Sequence, residues 1–132
     1  MPHILIVDDD EDDRDLLSDA LHEIDPNIKC TVARNGEEAF LGLSMHQYAE
    51  PELIFLDLNM PRLDGMQFLQ VLKKDRSLQH IPVVIYSTSK LADEKEQCMR
   101  LGAVHFITKP SSFRELRRLI SDVLIKEMIV SS

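Results

Sequence analysis

Strand-like and helix-like segments alternate along the whole chain. Strands are predicted where short apolar or β-branched runs occur, over 4–7, 29–34, 53–57, 83–86 and 104–108. Helices are predicted where apolar residues recur every three or four positions, over 10–24, 37–47, 65–74, 91–101 and 112–128. Proline, glycine and asparagine separate these segments, so the connections between them are short.

The first and fourth helices show how the pattern is used. The first helix is expected to bury one stripe of five apolar residues: Leu16, Leu17, Ala20, Leu21 and Ile24. Acidic residues at its start suit the positive end of the helix dipole. The fourth helix is expected to end at Gly102, because glycine favours the position just after a helix.

Five strand–helix units in succession predict an α/β fold. Such a (βα)5 chain forms a mostly parallel, doubly wound five-stranded sheet with helices on both faces and right-handed crossovers. In these sheets, binding sites form at the carboxyl ends of the strands. The chain has no internal repeat and no linker, and too few residues follow the last helix for another domain. We therefore expect one domain over 1–132 without an output domain.

The composition narrows the functional classes. Of the 132 residues, 44% are hydrophobic and 29% are charged, which is ordinary for a globular domain, and the formal net charge is −8. This charge argues against a nucleic acid as a direct partner, because that binding needs clustered lysine and arginine. The sequence contains neither a long apolar stretch nor a signal peptide, so we expect a cytoplasmic protein that does not enter a membrane.

Asp57 is the most informative residue of the chain. It ends an apolar run, and an unpaired carboxylate in such a place is costly unless it has partners or a task. Two other predicted strand ends are charged: Asp8 and Asp9 follow the first strand, and Lys109 follows the fifth. Because parallel strands end at the same edge of a sheet, we expect these side chains to lie close to Asp57.

This arrangement of carboxylates predicts a cation site. The carboxylates repel one another unless a cation lies among them, and their oxygens suit Mg²⁺. A carboxylate can itself be phosphorylated, as in enzymes that form an aspartyl-phosphate. Mg²⁺ and Lys109 would then offset the charge of the phosphoryl group, and the Ser87 hydroxyl, at the end of the fourth strand, can donate a hydrogen bond to it.

Simpler interpretations of the same residues are open at this point. Asp57 could be a carboxylate that caps the next turn. Ser87 could be an ordinary loop hydroxyl, and Lys109 could be a surface lysine. We interpret Asp12 and Asp13 as a solvated helix start. An EF-hand loop is excluded, because Asp13 occupies the position that requires glycine.

Four segments together resemble the response-regulator receiver domain of two-component signalling. They are Ile6 to Asp9, Leu56 to Gly65, Ile81 to Ser87, and Gly102 to Pro110, and they occur in the order and spacing of that family. The resemblance implies a flavodoxin-like strand order, 2-1-3-4-5. Through the acid-rich first loop and Ser87-Thr88-Ser89, the chain is also similar to the single-domain receivers that partner bacterial phytochromes.

The resemblance implies a role for each matched residue of the site. Asp57 would accept a phosphoryl group from the phosphohistidine of a histidine kinase or phosphotransfer protein. Mg²⁺ would be bound by Asp9, Asp57 and the backbone carbonyl of Asn59, and Asp8 would act through a metal-bound water. Lys109 would pair with the phosphoryl oxygens.

The resemblance also implies a switch. Ser87 would move to hydrogen-bond the phosphoryl group and Phe106 would turn inward with it, which would reshape the face formed by the fourth helix, fifth strand and fifth helix. An output protein would bind that face, and family analogy suggests a homodimer through the last strand and helix. The positions with an implied structural role are Pro61, Gly65 and Pro110, and the peptide bond before Pro110 would be cis.

Two competing functions are less consistent with these residues. An aspartyl-phosphate phosphatase of the haloacid-dehalogenase type usually has a second aspartate two residues after its nucleophile, and here that residue is Asn59. A receiver-like scaffold that works without phosphorylation would not need the acidic pair, Asp57 and Lys109 together. We therefore expect a phosphoprotein of a phosphorelay rather than an enzyme.

Overall fold

The computed structural model describes residues 2–61 and 63–131; Met1 and Ser132, the two ends of the expected domain, lie outside the described residues, as does Arg62. The strands are β1 (His3–Val7), β2 (Lys29–Ala33), β3 (Leu53–Leu56), β4 (Val83–Ser87) and β5 (His105–Thr108). The helices are α1 (Glu11–Ile24), α2 (Gly36–Ser44), α3 (Gly65–Lys74), α4 (Ala92–Leu101) and α5 (Phe113–Lys126). Each predicted element is present, with its ends shifted by up to three residues.

The five strands form one parallel sheet in the order β2-β1-β3-β4-β5, which confirms the expected fold. β1, β3 and β4 are buried along their whole length, because helices cover both faces of the sheet. In the register, Val7 is paired with Leu56, and Leu56 with Ile85. The three central strands therefore end at the same edge of the sheet.

Two hydrophobic clusters lie on opposite faces of the sheet. Alternate residues of a strand point to opposite faces, so Leu5 and Val7 pack on the side of α2, α3 and α4. Ile4 and Ile6 pack on the side of α1 and α5. Helices on both sides hold the sheet in place and leave the residues that follow its strands at a single polar edge.

Capping interactions mark the start of α3 and the end of α4. The Asp64 side chain accepts a hydrogen bond from the Gln67 N–H, and the Gln67 side chain accepts one from the Asp64 N–H, which starts α3 at the predicted residue. Gly102 ends α4 with a left-handed φ of 110°, as expected. None of the helices in the described ranges is long and apolar enough to span a membrane.

The inclusion of Leu16 in the buried stripe of α1 was wrong. Leu17, Ala20 and Leu21 are buried, but 45% of Leu16 is exposed. At about 100° per residue, Leu16 lies about 90° away from the centre of the stripe that the other residues form. It therefore lies at the margin of the contact between α1 and the sheet.

Candidate functional site

Asp57 directly follows β3, and only 5% of the residue is exposed. Its N–H donates to the Val7 carbonyl at 2.9 Å, so pairing with β1 continues past the strand and fixes the backbone. Its Oδ1 accepts a hydrogen bond from the Asn59 N–H at 3.4 Å. Burial, and then the negative charge of Asp8, raises the pKa of Asp57 to about 6. The ionised carboxylate therefore needs a positive partner.

Two further carboxylates lie beside Asp57. Asp8 is 2% exposed and Asp9 is exposed, and both follow β1, the neighbour of β3. One ligand oxygen from each of Asp8, Asp9 and Asp57 lies within 4.8 Å of the other two. Burial raises the pKa of Asp8 as well. Hard carboxylate oxygens at this spacing fit Mg²⁺ or Mn²⁺.

Lys109 brings a positive charge to the same place. Its Nζ lies 2.9 Å from Asp8 Oδ2 and 2.8 Å from Asp13 Oδ2. The distance to Asp57 Oδ2 is longer, 3.8 Å. The ammonium also lies 5.2 Å from the centre of the Tyr86 ring, within range of a cation–π interaction. Burial alone would lower the pKa of Lys109, but its hydrogen bonds to Asp13 and Asp8 outweigh burial and raise it, so the ammonium stays charged.

Asp13 is a residue of the site that the sequence interpretation missed. Instead of being a solvated residue of the helix start, it is only 29% exposed and hydrogen-bonds Lys109. It lies four residues before the buried Leu17, on the inward side of the first turn of α1. That spacing was visible in the sequence, but the acidic neighbours of Asp13 concealed it.

Ser87 lies at the same edge, one residue beyond the level of Asp57 in the register, and it is fully buried. Its Oγ accepts a hydrogen bond from the Ser89 N–H at 3.2 Å. The Thr108 hydroxyl, at the end of β5, donates to the Ser89 carbonyl at 3.1 Å. Two hydrogen bonds thus hold Ser89, in the loop between β4 and α4. Phe106 is half-buried and packs against the cluster beneath α2, α3 and α4.

Gly65 allows α3 to approach the site closely. Its N–H donates to the Leu58 carbonyl at 3.1 Å. A Cβ on Gly65 would lie 2.2 Å from the Asp57 carbonyl oxygen, so no larger residue fits without moving the backbone of the acceptor. Pro61, in the same loop, is exposed.

The expected cis bond between Lys109 and Pro110 was wrong, since the described residues contain no cis peptide bond. Trans is the lower-energy form of such a bond by about 0.5–1 kcal/mol. With the trans bond, the Lys109 N–H still donates to the Ser87 carbonyl at 2.7 Å, and its ammonium still reaches Asp8. The contacts of the lysine therefore do not require the cis form.

A buried carboxylate, a divalent-cation donor set and an ammonium meet at the carboxyl edge of this parallel sheet, which defines a phosphoryl-accepting type of domain. Residues 4–121 match the family model of the response regulator receiver domain, and the chain belongs to that family. Accepting a phosphoryl group on an aspartate is the general function of the family. Receiver domains bind Mg²⁺ or Mn²⁺ at an acidic pocket and interact with histidine kinases or phosphotransfer proteins.

Similar proteins support this assignment. A protein-glutamate methylesterase/protein-glutamine glutaminase of Methanococcoides burtonii is 33% identical over 124 residues, covering 92% of this chain and 34% of that protein. The chain thus spans about a third of the length of that relative. Some members of the family are enzymes through their other domains.

Two solved structures are similar over nearly the whole chain. The phosphorylated cyanobacterial phytochrome response regulator RcpA has a TM-score of 0.89 at 29% identity, covering 99% of this chain and 96% of that one. The Mn²⁺-bound form of the response regulator Rcp1 has a TM-score of 0.85 at 27% identity, covering 95% and 93%. The predicted resemblance, including that to phytochrome-associated receivers, is confirmed.

Proposed function

We propose that Asp57 accepts a phosphoryl group from the phosphohistidine of a histidine kinase or phosphotransfer protein. The main support is the position of Asp57, which is 5% exposed and lies beside Asp8, Asp9 and Lys109. In the transfer, the bond from phosphorus to the imidazole nitrogen breaks as a bond from phosphorus to an Asp57 oxygen forms. The released imidazole nitrogen takes up a proton.

The cation of this reaction is proposed to be Mg²⁺. Asp9 and Asp57 would bind it through their carboxylates, Asn59 through its backbone carbonyl, and Asp8 through a water. Asp8 suits an indirect role because both of its oxygens already accept hydrogen bonds, one from a backbone N–H and one from Lys109. When bound, Mg²⁺ supplies positive charge that stabilises the transferring phosphoryl group.

Lys109 and Ser87 would bind the product. The Lys109 ammonium lies 3.8 Å from an Asp57 oxygen, close enough to pair with a phosphoryl oxygen after a small movement. Ser87 would exchange its contact with the Ser89 N–H for a hydrogen bond to the phosphoryl group. The side chain of Phe106 would then turn inward. Phe106 lies on β5, the strand that pairs with β4.

The proposed output surface is the face formed by α4, β5 and α5. It directly adjoins the loop that Ser87 and Thr108 hold in place, so a movement of that loop would reach it. This face would bind an output protein or, through β5 and α5, a second copy of the chain. The protein would encounter the output protein, a second copy of the chain and the phosphohistidine donor in the cytoplasm.

The test is Mg²⁺-dependent labelling with a radioactive small phosphodonor such as acetyl phosphate. The wild type and an Asp12→Asn variant, which changes an exposed aspartate, are expected to gain an acyl phosphate. Asp57→Asn is expected to gain none. Omission of Mg²⁺ or addition of EDTA is expected to abolish labelling of the wild type.

Three results would contradict the proposal. Label that persists in Asp57→Asn would place the acceptor elsewhere. Steady release of phosphate from a simple monoester by the wild type would support a phosphatase instead. A wild type that neither binds Mg²⁺ nor gains label would favour a scaffold that works without phosphorylation.

A further inference from the structure

Lys109 has a partner that the phosphoryl transfer described above does not use. Asp13 Oδ2 is 2.8 Å from the Lys109 ammonium, a full ångström closer than Asp57 Oδ2 at 3.8 Å. Asp13 does not belong to the carboxylate cluster that could hold a cation, which consists of Asp8, Asp9 and Asp57 within the described ranges. Asp13 therefore lies outside the proposed donor set of the cation, although it shares Lys109 with Asp8.

We propose that Asp13 is a positioning residue that holds Lys109 away from Asp57 and thereby slows phosphoryl acceptance. The inference rests on the proposed function of Asp57 and adds a regulator to that site. The Asp13 side chain hydrogen-bonds the lysine and acts on the site mainly through it.

The hydrogen bonds of Lys109 support this role. An ammonium has three N–H donors, and two of them are used by Asp8 and Asp13 at 2.9 and 2.8 Å. The 3.8 Å to Asp57 is beyond hydrogen-bond distance. To donate to a phosphoryl group on Asp57, the ammonium must move toward it, and each shorter contact resists that movement.

The position of Asp13 makes its hold on the lysine firm. Its N–H donates to the Asp10 side chain at 3.2 Å, which fixes it in the first turn of α1, one turn before the buried Leu17. The side chain of Lys109 is 9% exposed, so water competes little for the ammonium. Asp13 also brings an extra negative charge close to an incoming phosphoryl group, and both effects slow its arrival.

The variant Asp13→Asn keeps the shape of the side chain and removes its charge. With acetyl phosphate and saturating Mg²⁺, the rate at which Asp57 gains label should rise about three- to tenfold. Asp13→Glu restores the carboxylate and should return the rate to within about twofold of the wild type. Asp12→Asn is the matched control, because it removes an equal charge from the same helical turn at an exposed position.

A second readout uses the metal-free protein and needs no phosphorylation. In ¹⁵N-labelled protein, the Lys109 ammonium signal should shift and its protons should exchange faster in Asp13→Asn, and neither should change in Asp12→Asn. Unfolding midpoints of all variants show whether each is folded. An unchanged ammonium signal in Asp13→Asn would overturn the proposed hold on Lys109.

The kinetic outcomes separate the two proposals. If the wild type is labelled on Asp57 and Asp13→Asn is labelled no faster, the role of Asp13 is overturned and the function of Asp57 stands. If labelling is accelerated equally in Asp13→Asn and Asp12→Asn, the loss of net charge explains the effect without the contact to Lys109. That result would also overturn the role of Asp13. A wild type that gains no label on Asp57 would overturn the proposed function and this inference together.

Discussion

Asp57 combines burial with a raised pKa, so its ionised carboxylate weighs against the stability of the metal-free protein. The nearest positive group, Lys109, is shared with Asp8 and Asp13 and does not hydrogen-bond Asp57. The proposed cation and phosphoryl site is therefore destabilising to the fold while it is empty of positive charge other than the shared lysine.

Asp57→Asn is expected to stabilise the metal-free protein by about 1–3 kcal/mol near neutral pH. The folded pKa, about 6, is above the ordinary value of 3.8. Stability from the protonated form is thus fully present below the ordinary pKa and is lost as pH rises through about 6. The gain from asparagine should be small near pH 4 and largest above pH 7. Denaturant unfolding in EDTA at both pH values measures it, and an equal gain at both would contradict the argument.

Gly65→Ala tests the close approach of α3 to the acceptor. Alanine normally stabilises a helix relative to glycine by about 1 kcal/mol, but here its Cβ would lie 2.2 Å from the Asp57 carbonyl oxygen. We expect a loss of about 2–4 kcal/mol in unfolding free energy. Lys74→Ala, at an exposed position of the same helix, should change stability by less than about 0.5 kcal/mol. A stabilised Gly65→Ala variant would show that the backbone there adapts freely.

At the scale of elements, the loop between β4 and α4 is the part of the site that adjoins the proposed output surface. One hydrogen bond to Ser87 Oγ and one from Thr108 Oγ1 hold Ser89. Ser87 is fully buried, whereas Thr88 in the same loop is exposed. Both of these hydrogen bonds hold the loop at one residue, Ser89, so few contacts must break for the loop to move.

Thr108→Val removes the hydrogen bond to the Ser89 carbonyl and keeps the shape of the side chain. We expect a loss of about 0.5–1.5 kcal/mol in unfolding free energy and faster amide hydrogen exchange at Ser89. Thr88→Val, an exposed change in the same loop, is the control and should leave exchange unchanged. Unchanged exchange at Ser89 in Thr108→Val would mean that this hydrogen bond does not hold the loop.

At the scale of the whole molecule, strands far apart in the chain bring their charges to one edge of the sheet. Oxygens of Asp8, Asp9 and Asp57 lie within 4.8 Å of one another, and their repulsion acts across β1 and β3. A cation bound there would stabilise the entire fold, because the unfolded chain does not hold these groups together.

Mg²⁺ is expected to raise the unfolding free energy by about 2.7 kcal/mol at a hundred times its Kd. The effect should be much smaller in Asp9→Asn, which removes a proposed ligand, and unchanged in Asp12→Asn. Thermal unfolding over a range of Mg²⁺ concentrations measures it. Equal stabilisation of the wild type and Asp9→Asn would place the bound ion outside the carboxylate cluster.

Local periodicity was enough to predict the ten elements and their order, because the spacing of apolar residues reflects helix and strand geometry directly. Sites form at the carboxyl ends of parallel strands, and this rule was enough to predict that Asp8, Asp57 and Lys109 lie close together. These features depend on the backbone path alone. For that reason they survived errors in element ends and in the burial of Leu16.

Which carboxylate holds Lys109 depends on differences of about an ångström, 2.8 Å to Asp13 against 3.8 Å to Asp57. Such differences depend on how α1, which contains Asp13, packs in the folded domain, and that packing joins residues distant in the chain. The isomer of the peptide bond before Pro110, which is trans, was likewise seen only in the tertiary structure. A one-dimensional pattern contains the chemical groups of this site, but only the packed molecule sets the distances that determine which of them pair.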